Sequence, residues 1–150
     1  MKRFYLAGLC ALAPLSAVYA DTFDCTLIDK AQSGWLPDRL VFEVTNDTEA
    51  QAFDAITAST RGGIVPVDVK VHNDIRIDLV WKTGEFKNPK ATATRDDPGA
   101  GPRRIVFHAT LLRGSNKIQL KARPAGGRKK QTARGACSVL KRPIETVVGN

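Results

Sequence analysis

Period-two alternation of apolar side chains runs through most of this chain, and helical periodicity is hard to find. The clearest case is Val65, Val67, Val69 and Val71, interleaved with Pro66, Asp68, Lys70 and His72. Alternation of this kind places one set of side chains on a buried sheet face and the other in water. The pattern recurs in Phe23, Cys25 and Leu27; in Leu40, Phe42 and Val44; and in Phe53 and Ala55. It continues in Ile75, Ile77, Leu79 and Trp81, in Ile105, Phe107, Ala109 and Leu111, and in Ile118, Leu120 and Ala122, with a last strand around residues 136–140. Turn residues separate these runs: Gly34-Trp35-Leu36-Pro37 with its aromatic plug, Asn46-Asp47-Thr48-Glu49, Arg61-Gly62-Gly63, Asn73-Asp74 and Arg113-Gly114-Ser115-Asn116. Eight short strands joined mostly by short turns predict an all-β antiparallel meander, either a small barrel or a two-sheet sandwich.

The cysteines bear on that choice. Residues 1–20 read as a cleavable signal peptide. Lys2 and Arg3 precede an uncharged apolar run over 4–15, and Val18-Tyr19-Ala20 puts small residues at −3 and −1. The run is too short to span a bilayer, and Leu9 before Cys10 is a poor lipoprotein signature. Removing residues 1–20 leaves Cys25 and Cys137, an isolated pair that reads as a structural disulfide in an oxidising compartment. A bond between the first and last strands favours a barrel, because those strands are neighbours only if the sheet returns on itself. The expected organisation is a signal at 1–20, one β domain at 21–140 and a loose tail at 141–150. The expected location is periplasmic or secreted, with no transmembrane segment in the mature chain.

Charge is segregated along the sequence. The formal net charge is +8, falling to +6 when Lys2 and Arg3 leave with the signal. Residues 21–97 hold 9 Lys/Arg against 14 Asp/Glu, whereas residues 98–142 hold 12 Lys/Arg and no acid. If the 113–116 turn closes a hairpin, Leu112 pairs with Lys117, Thr110 with Gln119, His108 with Lys121 and Val106 with Arg123. Arg104, His108, Lys117, Lys121 and Arg123 then share an outer face, extended by Arg128, Lys129 and Lys130 in a Gly-rich loop and by Arg134. Such a face attracts polyanions: anionic lipid headgroups, acidic polysaccharide or an acidic protein. Nucleic acid is disfavoured, since the face lacks exposed aromatics for stacking and export separates it from the cell's own nucleic acid.

Catalytic and metal motifs are missing from the pattern. His72 and His108 each stand alone on the outward parity of a strand, and no serine lies in Gly-x-Ser-x-Gly. The expectation is a non-enzymatic protein with no cofactor, no metal and no catalytic residue. Two alternatives stay open. The polar 86–102 segment could act as an inhibitory loop in the cleft of a cell-wall hydrolase. A barrel interior with small residues such as Ala55, Ala109 and Ala122 could carry an apolar ligand, although Phe42, Phe53, Trp81 and Phe107 are expected to fill it.

The segments Phe23-Asp24-Cys25, Gly34-Trp35-Leu36-Pro37, Leu111-Leu112, Asn116-Lys117-Ile118, Ala122-Arg123-Pro124 and Gly135-Ala136-Cys137 resemble a group of small, uncharacterised exported proteins of Gram-negative bacteria. That resemblance implies no activity. Trp81-Lys82-Thr83-Gly84-Glu85 is fainter in its likeness, to the membrane-bound inhibitors of c-type lysozyme, which are small eight-stranded periplasmic barrels with cysteines near both ends. Their Ser-Gly-centred inhibitory segment has no counterpart in residues 60–80, so that likeness implies architecture only.

Overall fold

The computed structural model describes residues 20–90, 101–127 and 129–149. Residues 1–19 of the expected signal, the centre of the 86–102 loop and Arg128 lie outside them. Eight antiparallel strands close into a barrel in sequence order: β1 (Asp21–Ile28), β2 (Arg39–Val44), β3 (Glu49–Asp54), β4 (Val65–His72), β5 (Arg76–Lys82), β6 (Ile105–Leu112), β7 (Lys117–Pro124) and β8 (Gln131–Leu140). The barrel, rather than the sandwich, is therefore the architecture.

Closure is made by seven residue pairs between β1 and β8, from Thr22↔Leu140 to Ile28↔Arg134. Cys25 and Cys137 face each other in that ladder and are disulfide-bonded, with a sequence separation of 112. A link of this kind fits an oxidising compartment. Among the described residues no helix is long and apolar enough to cross a membrane. Gly135 lies two residues before the bond, where β1 passes so close that a Cβ would sit 1.8 Å from the Thr26 carbonyl oxygen.

Alternate side chains point inward and fill the interior. Phe42, Leu40, Leu79, Phe107, Leu111 and Leu120 are fully buried. Phe23 stacks on Phe42 with centroids 4.8 Å apart, and Trp81 tilts against Phe107 at 5.2 Å. Trp35 plugs one end, edge-on to Phe86 at 6.2 Å.

Three features depart from simple alternation. The chain after Asp54 does not continue β3 but forms helix α1 (Ala55–Arg61), so Ala55 is exposed and lines no interior. Asp54 is its N-cap, accepting from the Thr57 N–H at 2.8 Å, and Gly62 ends it at φ 78° with its N–H on the Ala58 carbonyl. Phe53 lies outside the barrel, against a second apolar cluster of Val41, Ile144 and Val147. That cluster exists because α2 (Ile144–Val148) folds over β2, where a loose tail is expected from the sequence. Ile144 and Val147 cover Val41, the Ile144 N–H donates to Glu43 at 2.8 Å, and the Thr22 hydroxyl donates to the Arg142 carbonyl at 2.6 Å.

The third departure is a β-bulge at Lys70. Val69 pairs with Leu79, but Val71 pairs with Asp78 and His72 with Ile77. The extra residue reverses parity. His72, expected on the solvent face, instead lies at the barrel mouth, its Nδ1 2.8 Å from Asp47. It lines a hollow of about 170 Å³ there with Asp21, Phe23, Val44, Ile77 and Arg113.

At the opposite end, Asp54 is buried and accepts from Trp81 Nε1 at 3.2 Å, and Trp81 Nε1 also reaches the Thr57 hydroxyl at 3.1 Å. Burial raises the Asp54 carboxyl above its ordinary value, against the opposing pull of the hydrogen bonds from Thr57 and Trp81. The native state then keeps this proton to higher pH than the unfolded chain does. Stability from this group is greatest below the ordinary aspartate range of about 4 and falls as pH rises through the elevated native value. Asp54→Asn, which carries no charge at any pH, should therefore gain on the wild type as pH rises above about 4 in urea-melt series. Asp54→Ala removes the cap and a Trp81 acceptor together, and should lower stability by about 2 kcal/mol. A difference between Asp54→Asn and wild type that stays flat with pH would exclude a raised Asp54.

Candidate anion-binding face

The basic segment folds as β6, β7 and β8, and its register is the one the hairpin reading requires. Leu112 faces Lys117, Thr110 faces Gln119, His108 faces Lys121 and Val106 faces Arg123. The turn fits its residues, for Asn116 takes the left-handed region at φ 51°, which asparagine tolerates. With Ile105, Phe107, Ala109 and Leu111 drawn inward on β6, and Ile118, Leu120 and Ala122 on β7, the intervening residues must point out.

Pairing on both sides turns these residues into bands around the wall. Lys82, Val106 and Arg123 form one, and Val80, His108, Lys121 and Thr132 the next. Asp78, Thr110, Gln119 and Arg134 follow, then Arg76, Leu112, Lys117 and Ala136. Every band carries at least one cation. Lys117, Lys121, Arg123 and Arg134 are exposed, as are His108, Arg104, Lys129 and Lys130. Arg128 lies outside the described residues.

Among the described residues, four acids of the first half are engaged by cations outside this face. Asp24 takes Arg39 in a two-point bond of 2.8 and 2.9 Å, Asp68 takes Lys70, Asp47 takes His72 and Asp21 takes Lys141. The carboxylate within the bands, Asp78, is buried and paired with Arg76 at 3.2 Å. Among the described residues, none of Arg104, Lys117, Lys121, Arg123, Lys129, Lys130 and Arg134 is ion-paired. Exposed like charges on neighbouring strands repel unless an anion lies over them.

The face also has relief. Gly126 at φ 75° and the Gly127 N–H on the Pro124 carbonyl fold the β7–β8 connection back. This leaves an open hollow of about 440 Å³ lined by Val106, Arg123, Pro124, Ala125, Gly126 and Gly127. It is large enough for a phosphate, sulfate or carboxylate group beside the Arg123 guanidinium, with Lys82 in the same band.

Sequence reasoning does not assign Lys82 and Arg76 to the face. Their outward parity on β5 is visible in the alternation, but their place depends on β5 pairing with β6 across the long 83–104 connection. Only the first part of the 86–102 segment and its close are described. Phe86 and Arg103 exchange both backbone hydrogen bonds at 2.9 Å, and buried Asn88 donates to the Ser33 carbonyl at 2.8 Å. Residues 91–100 lie outside the described ones. No three His, Cys, Asp or Glu residues converge among the described residues. Comparison with protein-family models, with curated proteins and with solved structures finds no match to this chain.

Proposed function

We propose that this is an exported, periplasmic or secreted, non-enzymatic binding module whose β6–β8 face docks on a polyanion. One observation carries the reading: among the described residues, each of four adjacent bands of the barrel wall bears a Lys or Arg that is not ion-paired, while Asp21, Asp24, Asp47 and Asp68 are engaged by Lys141, Arg39, His72 and Lys70. The chemistry suits repeated phosphate, sulfate or carboxylate groups, with Arg123 and the 124–127 hollow as the point of closest fit.

Heparin chromatography tests it. The purified protein should be retained at about 0.1 M salt and released as salt shortens the screening length. Lys121→Ala/Arg123→Ala should weaken retention by about thirty-fold, since each near-surface cation contributes on the order of 1 kcal/mol. Arg128→Ala/Lys129→Ala/Lys130→Ala tests the loop, and unchanged elution would remove the loop from the site. Wild-type protein that passes through unretained would sink the proposal.

A further inference from the structure

The four large hydrophobic residues exposed among the described ones are not scattered evenly. Ile75 is 72% exposed, Leu112 45% and Val139 40%, and all three lie at the same end of the barrel, while Ile28 stands at the other. They also lie along one arc of the rim. The Arg113 N–H donates to the Ile75 carbonyl at 2.9 Å, which joins the 73–75 turn to the 113–116 turn. The Cys137 N–H donates to the Asn116 carbonyl at 2.8 Å, so the end of β8 bearing Val139 rises beside that second turn. Cations are set among them: Arg76 pairs across from Leu112, Lys117 follows on its other side, and Arg113 sits next in the chain. Asp74 is exposed in the first turn, and Asp21 and Asp47 lie at the same barrel mouth, engaged by Lys141 and His72.

We infer that this arc is where the protein meets a membrane, and that the anionic partner proposed above is a bilayer carrying acidic lipids. The inference rests on that reading and narrows it. An acidic polysaccharide offers charge but no apolar phase for Ile75, Leu112 and Val139. A bilayer offers both, phosphates at the surface and acyl chains a few ångströms below. The arc consists of one turn residue, Ile75, and two residues at strand ends, Leu112 and Val139. Lys117 and Arg76 stand at the lower margin of the β5–β8 wall, so contact at the rim brings the basic bands towards the same surface.

Vesicles of phosphatidylcholine with about a quarter phosphatidylglycerol, compared with phosphatidylcholine alone, give the test, with heparin elution run in parallel. Wild-type protein should sediment with the acidic vesicles. Ile75→Ser/Val139→Ser should bind them about ten-fold more weakly while eluting from heparin at the wild-type salt concentration, with circular dichroism of the purified variant reporting an intact fold. Ile75→Trp should show a blue shift in emission on acidic vesicles that the wild type, with its buried tryptophans Trp35 and Trp81, does not. Unchanged vesicle affinity of the double serine variant would overturn the inference, as would an unshifted spectrum of sedimented Ile75→Trp protein. So would heparin retention with no vesicle binding, an outcome that leaves the polyanion reading in place. Loss of both heparin and vesicle binding in the wild type would instead bring down the parent reading.

Discussion

Gly135→Ala should lower the stability of the barrel by about 3 kcal/mol, the upper part of the range for overpacking, and its melting temperature by roughly 10 °C. The added methyl would lie 1.8 Å from the Thr26 carbonyl oxygen, 2.8 Å from its carbon and 3.2 Å from the Leu27 Cα. All three are backbone atoms of β1, so no side chain can swing aside. The two strands must separate where Gly135 faces Leu27, two residues from a covalent link that resists separation. Thermal and urea melts with the disulfide intact measure the loss, and an unshifted midpoint would mean that β1 and β8 are not so closely opposed. Substitution at Gly114, where a Cβ meets nothing within 4 Å, is the matched control.

Replacing Cys25 and Cys137 together by alanine should cost about 4 kcal/mol. With a sequence separation of 112 between the ends of the closed loop, the chain-entropy model assigns most of that to greater freedom of the unfolded chain. Domains of this size have only about 5–15 kcal/mol in total, so the variant should melt roughly 10–20 °C lower and approach unfolding at ambient temperature. Reduction by dithiothreitol should reproduce the direction of the change. The two perturbations share one seam, and their effects should not add: Gly135→Ala should be less damaging once the disulfide no longer pins β1. Equal cost in both backgrounds would show that the strands do not relax apart.

Much of this architecture is legible in the residues, for a physical reason. Alternation at Ile105–Leu111 and Ile118–Ala122 has a single sensible phase, and a four-residue turn fixes how the two runs meet, so the cross-strand pairs of the basic face follow from the sequence. The cysteine pair likewise anticipates closure. Elsewhere the same rule misleads. Phe53-Asp54-Ala55-Ile56 keeps an alternating texture through the point where the chain turns into α1. The clue is the Asp54 cap three residues ahead of Thr57, with Gly62 at the far end. The valines of β4 alternate without a break, yet the bulge at Lys70 reverses which of them face inward, because an unpaired residue is a property of the ladder and not of composition. Ile144, Val147 and Val148 carry a short helical stripe after Pro143, but five residues hold no helix alone, and its stability comes from Val41 and Phe53 waiting on the outer wall.

The α2 helix has an effect on the whole molecule. It covers Val41 on the outer side of β2, the strand that lies across the ring from β6, and so removes apolar surface from the flank away from the basic bands. Residues 98–142, which hold β6, β7 and β8, carry 12 Lys/Arg and no Asp or Glu, so positive charge is concentrated on one side of the barrel and gives it an electric moment. Near an anionic surface such a body experiences a torque before any atoms touch, which turns its β6–β8 side towards that surface.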